Sequence, residues 1–287
     1  MKRYLSLIRF SHTIFAMPFA MIGFFLGLKI SGTGFRVDLL VMVTLCMVFA
    51  RSAAMAFNRW LDRDIDAINH RTAVRDIPSG LISEKSALWF VIITGMLFII
   101  TTYFINHICF VLSPVALVVI LGYSYTKRFT SWCHLILGVG LALAPVGAYL
   151  AVTGEFGMIS ILLGAGVLFW VAGFDIIYSL QDEEFDRTNK LNSLPVAFGR
   201  ITSLRLSELF HLCTAIFFGI AIFYSFETFE DLGMILTGGY VVFLILLIYQ
   251  HIIIKPSDLS RINMAFFTTN GVASLLFGFL FILDLMI

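Results

Sequence analysis

The chain has 287 residues, of which 60% are hydrophobic and 13% charged, and its mean hydropathy is +0.96. A soluble domain of this size cannot hide that much apolar side chain in one core, so an integral membrane protein is expected. A net charge of +1 supplies no basic field, which excludes nucleic acid as a natural partner.

In chain order, a basic stretch with Lys2, Arg3 and Arg9 leads into an apolar run without a convincing small-residue cleavage site. An uncleaved first span is expected rather than a signal peptide. Apolar windows of about 20 residues, enough to cross the hydrocarbon layer as a helix, follow one another between polar punctuation. Their limits are 10–29, 38–58, 86–105, 108–125, 134–153, 158–181, 204–225, 233–254 and 264–286. Only Asn106 and His107 separate the third from the fourth. Helices are expected throughout, because an open sheet would leave backbone groups unpaired in lipid. The expected fold is an all-α integral membrane bundle of nine transmembrane helices, with residues 1–287 forming a single domain.

Lys and Arg are unevenly divided between the two sets of links. One set holds Arg59, Arg63, Arg71, Arg75, Lys85, Lys127, Arg128, Arg187, Lys190, Arg200, Arg205, Lys255 and Arg261, while the other holds Lys29 and Arg36 among the acids Asp38, Glu155, Glu227, Glu230 and Asp231. The positive-inside rule then puts the N-terminus in the cytosol and the C-terminus outside. The links after the second and sixth spans are long, charged and cytosolic, which marks them as functional. Cys46, Cys109, Cys133 and Cys213 are scattered without CxxC spacing and read as small apolar fillers.

Those two long links carry the chemistry. The first, NRWLDRDIDAINHRTAVRDIPSG from Asn58 to Gly80, spaces Asn58, Asp62 and Asp66 four apart; the second, YSLQDEEFDRTNK from Tyr178 to Lys190, spaces Tyr178, Asp182 and Asp186 likewise. Residues four apart share a helical face, so each set forms a polar stripe, and two such stretches facing each other would make one pocket. Arg51 precedes Asn58 by seven residues, as Asp175 precedes Asp182, which suggests a rough internal repeat. Converging carboxylates repel one another unless cations neutralise them, and hard oxygen donors without Cys or paired His favour Mg²⁺ over zinc. Arg63, Arg71, Arg75, Lys127, Arg128 and Lys190 lie on the same side and suit phosphate oxygens. A Mg²⁺ and phosphate site beside lipid points to a prenyl diphosphate, whose allylic cation the ring faces of Tyr178, Phe57 or Phe174 can stabilise. A polytopic transporter is the competing class, although these acids lie near one membrane face rather than at the midplane.

On these motifs the chain resembles the UbiA-type intramembrane aromatic prenyltransferases over nearly its whole length. The family's Asn-Asp-x-x-Asp-x-x-x-Asp motif corresponds to Asn58, Arg59, Asp62 and Asp66, and its Asp-x-x-x-Asp motif to Asp182 and Asp186, preceded by Asp175, Tyr178 and Gln181. The segments RTAVRDIPSG and GYSYTKRFT also resemble family loops. The resemblance implies Mg²⁺-dependent transfer of a polyprenyl chain from polyprenyl diphosphate to an aromatic acid in quinone biosynthesis, in a bacterial cytoplasmic membrane with the active site facing the cytosol. Haem, chlorophyll or prenyl-lipid synthesis are other activities of the superfamily. Asp62, Asp66, Asp182 and Asp186 are then the metal ligands, Asn58, Tyr178 and Asp175 the catalytic set, and Arg51 the cation for the acceptor carboxylate or a partner for Asp175. Arg59 stands where many members have an acid, and Asp76 where the Arg-Pro-x-Pro-x-Gly loop has its first Pro. With ARSAAMAFNR and FDIIYSLQDEEFD, these residues look more like the menaquinone branch, which acts on a dihydroxynaphthoate, than the 4-hydroxybenzoate branch. Asp64, Glu183 and Glu184 fall off the stripes and are expected to be solvated or to pair with Arg. His12, His70, His107, His134, His211 and His251 show no constellation, so no catalytic His is expected.

Overall fold

The structure, a computed structural model, describes residues 15–287. Lys2, Arg3, Arg9, His12 and the start of the first expected span lie outside the described residues. The described residues form the helices α1 (Met17–Ser31), α2 (Val37–Leu61), α3 (Arg63–Ile68), α4 (Glu84–Ile105), α5 (His107–Thr126), α6 (Cys133–Thr153), α7 (Met158–Ser179), α8 (Glu183–Thr188), α9 (Leu194–Thr228), α10 (Met234–Ile253) and α11 (Asn270–Met286). A 3-10 turn, Leu180–Asp182, follows α7, and a π-helix, Met264–Thr269, precedes α11; no strand occurs among the described residues. Among the described residues eight segments are long and apolar enough to cross a membrane, and α1 is a shorter apolar helix of 15 residues. The protein is an all-helical membrane protein.

Contacts within the chain divide it into two compact units, one of residues 37–125 and the other of 15–36 with 126–287 among the described residues. In the first, α2 packs along α4 around buried Ala56, Ile77, Ile82, Ala87 and Val91. Ser83 starts α4 by accepting the Ser86 amide at 3.2 Å. Asn106 separates α4 from α5: its extended backbone ends one helix, and its side chain accepts the Cys109 amide at 2.9 Å to begin the next. That single polar residue is enough to split two apolar runs.

In the second unit α7 is central, lying against α6 and α9, while α1 packs on α6 and on α11. Its core is aromatic, with Phe19, Trp170, Phe218, Phe243, Phe277 and Phe281 fully buried. At the crossing of α6 and α7 a Cβ on Gly138 would collide with the Leu168 carbonyl, so the two backbones meet only because that side chain is missing. At one end of this unit Lys29 donates to Asp231 at 2.6 Å and to the Leu285 carbonyl at 2.9 Å, while Asp284 accepts the Gly233 and Leu236 amides that open α10. At the other end Arg200 donates to Glu183 at 2.6 Å and to the Pro256 carbonyl at 3.4 Å. The π-helix is secured by Asn270, whose amide nitrogen donates to the Ala265 and Phe266 carbonyls and whose oxygen accepts from Trp170 and Gln250.

Candidate active site

The first acidic stretch belongs to the first unit and the second to the second, and each is built the same way. The helix α2 stops at Leu61, and Asp62, with φ −92° and ψ 8°, starts the six-residue α3. Similarly, α7 tightens into the 3-10 turn, and Asp182, with φ −102° and ψ 3°, starts the six-residue α8. The expected stripes are therefore not continuous helix faces: each breaks at its first Asp, which acts as the hinge. Burial then runs in parallel from Asp62 to His70 and from Asp182 to Lys190, with the first Asp half-buried and the second Asp buried. The two stretches thus match in local structure with Asp62 answering to Asp182, a register different from that of the suspected repeat, in which Asn58 answered to Asp182.

In the first stretch Asn58 donates from its amide to Asp62 at 3.3 Å and to the Ser124 hydroxyl at 3.4 Å. Asp66 is buried, and Arg75 places Nη1 2.8 and 2.7 Å from its two oxygens. The Thr72 hydroxyl donates to the Asp66 carbonyl at 3.1 Å, drawing the following loop under the short helix. Arg59 and Asp76, the two departures from the family pattern, lie together: both are buried, with Nη1 and Oδ2 3.7 Å apart. Arg63 is engaged locally, donating to the Trp60 carbonyl at 2.8 Å, lying 3.0 Å from Glu84 and sitting over the Trp60 ring. Asp64 is exposed and 3.7 Å from Arg63. The Arg51 Nε is buried without a hydrogen-bond partner among the described residues.

In the second stretch Asp186 is fully buried, with the Lys127 ammonium 2.7 Å from Oδ1. Burial disfavours the charge on Lys127, yet the adjacent Asp186 carboxylate outweighs it, and the pKa of Lys127 is raised above its ordinary value. Asn192 donates its backbone amide to the Lys127 carbonyl at 2.8 Å, fixing that loop against the stretch. Glu183 takes Arg187 at 2.9 Å and Arg200 at 2.6 Å, the Arg pairing expected for a residue off the stripe. Arg71, Arg128 and Lys190 are exposed, and Lys190 adopts a positive φ of 56°. The ring of Tyr178 stacks on Phe266 at 4.2 Å, where the π-helix presents it, and Phe174 meets Phe266 edge-on at 5.3 Å. Phe57 belongs to the first unit, stacked on Trp60 at 5.8 Å.

The expectation of no histidine constellation fails. His134 Nδ1 lies 2.7 Å from Asp175 Oδ2, and His211 Nδ1 lies 2.7 Å from His251 Nε2 while its Nε2 meets the Trp170 carbonyl at 3.3 Å. Each pair joins two different helices, 41 and 40 residues apart, so no local spacing announces it. Among the described residues no group of three or more His, Cys, Asp or Glu is assembled to hold a metal. Each stretch instead presents its own oxygen-only carboxylate pair, a donor set suited to a hard divalent cation.

Residues 16–272 match the model of a family described as the UbiA prenyltransferase family. The chain is 30% identical over 249 residues to a 4-hydroxybenzoate octaprenyltransferase of Photobacterium profundum, covering 84% of this chain and 82% of that one. Among solved structures it is similar to the apo structure of a UbiA homolog from Aeropyrum pernix, with a TM-score of 0.83, 30% identity and coverage of 96% and 98% of the two chains. It shares its fold with a UbiA homolog from Archaeoglobus fulgidus bound to GPP and Mg²⁺, at a TM-score of 0.75 and 19% identity over 99% of this chain and 100% of that one.

Proposed function

We propose, from the premise that this chain belongs to the UbiA prenyltransferase family and is a prenyltransferase, that it moves a polyprenyl chain from polyprenyl diphosphate to an aromatic acid in quinone biosynthesis. The observation that carries this reading is the repeated construction, in which each acidic stretch buries its second Asp against a basic side chain from a neighbouring loop. Carboxylates and cations arranged in this way suit a metal and a phosphorylated head together. The names of the curated relatives support an aromatic acid acceptor, and the Archaeoglobus neighbour supports a prenyl diphosphate with Mg²⁺.

Asp62, Asp66, Asp182 and Asp186 are the residues that hold Mg²⁺, which when bound stabilises charge on the departing diphosphate. Arg71, Arg75, Lys127, Arg128 and Lys190 take phosphate oxygens, with Arg63 bracing the short helix beside them. The allylic C–O bond breaks with its electron pair going to the diphosphate, and a ring carbon of the acceptor forms the new C–C bond. Tyr178 offers its ring to the allylic cation, Asn58 orients Asp62, and Asp175 holds an acceptor hydroxyl and accepts the ring proton. Arg51, whose Nε has no partner of its own, receives the acceptor carboxylate. The acceptor is 4-hydroxybenzoate or 1,4-dihydroxy-6-naphthoate: relatives' names favour the first, and Arg59 with Asp76 the second. The chain works as one domain of nine spans in the bacterial cytoplasmic membrane, with its N-terminus and active site on the cytosolic side and its C-terminus outside.

Purified protein in detergent, given a radiolabelled prenyl diphosphate and each acid side by side, should label one acid and release diphosphate only with Mg²⁺ present. Arg51→Ala should raise KM for the acid by about tenfold and leave that for the prenyl diphosphate unchanged. No diphosphate release with any acid, alongside solute flux in liposomes, would sink the reading.

A further inference from the structure

We infer that His134 is a positioning residue for the acceptor step, holding the Asp175 carboxylate in a single orientation; this rests on the role given to Asp175 above. His134 is 3% exposed at its side chain and Asp175 24%, so the imidazole lies beneath the carboxylate and leaves it open on its other side. Only Oδ2 is engaged, at 2.7 Å from Nδ1, and Oδ1 has no partner among the described residues.

The opposite edge of the ring sets its protonation. Leu194, the first residue of α9, directs its backbone N–H at His134 Nε2 from 3.4 Å, and the N-cap Ser193 makes no side-chain cap bond. A helix start has unpaired amides and a positive end, which an unprotonated ring nitrogen satisfies and an imidazolium would oppose. Nε2 therefore accepts, Nδ1 carries the proton, and the neutral ring donates it as a hydrogen bond to a carboxylate that keeps its charge. With Oδ2 fixed in this way, Oδ1 is the oxygen left for an acceptor hydroxyl or a departing ring proton. His134 never touches substrate; it decides which oxygen of Asp175 does.

The two edges of the ring can be tested separately. The amide nitrogen of Asn reaches the place of Nδ1, and the amide oxygen of Gln the place of Nε2. His134→Gln should keep the Leu194 bond and the thermal midpoint, yet lose kcat/KM for the acceptor by about 100-fold, as misaligned catalytic groups do. KM for the prenyl diphosphate should not move. His134→Asn should recover most of the acceptor kcat/KM while melting earlier, since α9 loses its cap. Equal losses in the two variants, or a loss in neither, with an active wild type and an impaired Asp175→Asn, would overturn the inference and leave the proposed reaction standing. An unimpaired Asp175→Asn would overturn the inference together with the role of Asp175. A wild type without turnover on any acid would sink the prenyl-transfer reading and this inference with it.

Discussion

Asp62 and Asp182 sit where the backbone leaves one helix and enters the next, half-buried, while Asp66 and Asp186 lie buried against cations. Removing the outer pair therefore disturbs little of the packing. Asp62→Ala or Asp182→Ala should lower diphosphate release by at least about 100-fold while the thermal midpoint in detergent stays near wild type. Retained turnover in either would refute its assignment as a metal ligand. Arg59 and Asp76 are the reverse case, a buried pair with its charged groups 3.7 Å apart. Arg59→Met alone removes a cation 3.7 Å from a buried carboxylate and should cost about 1–3 kcal/mol. Adding Asp76→Leu should return much of that, and a double-mutant cycle on thermal unfolding checks the coupling. Sequence marks each residue as odd without showing that the two meet, because a contact between residues 17 apart on a helix and a loop has no periodic signature.

Among the elements, α9 departs furthest from its expected limits. The apolar window suggested 204–225, yet the helix begins at Leu194, with a break at Gly199 where φ is 76° and ψ 170°. Hydropathy windows close near charged residues such as Arg200, while the hydrogen-bonded backbone does not. Where a window ended on a real terminus the reading was close: 86–105 against Glu84–Ile105, and 233–254 against Met234–Ile253. The break at Gly199 re-aims the chain so that Arg200 reaches both Glu183 and the Pro256 carbonyl. Backbone of this kind is almost confined to glycine, so Gly199→Ala should cost about 1–3 kcal/mol. The measurement is the thermal midpoint, and a midpoint equal to wild type would show that the break is not required. The acidic motifs were legible because their spacing is local; the hinge at each first Asp was not, since four-residue spacing is equally compatible with an unbroken helix.

For the whole molecule, membrane class follows from composition and the helical fold from apolar windows of about 20 residues, the length of a spanning helix and about twice that of a barrel strand. The His134–Asp175 and His211–His251 pairs were out of reach, since each is made by helices brought together only on folding. Orientation can be tested with single cysteines in a chain whose four native ones are replaced. An impermeant thiol reagent on intact spheroplasts should label position 155 and spare position 190; the opposite pattern would reverse the proposed topology.

The amide that secures the π-helix has one more consequence. Asn270 is followed by Gly271, the pairing in which the next backbone nitrogen most easily attacks the side chain and expels ammonia. In the folded chain both residues are buried, the amide is held on both its oxygen and its nitrogen, and the attacking backbone is locked in a helix. Ageing at this position is therefore a record of time spent unfolded. It is also irreversible, because the aspartate left behind cannot donate to the Ala265 and Phe266 carbonyls and so cannot rebuild the turn that sets Phe266 against Tyr178.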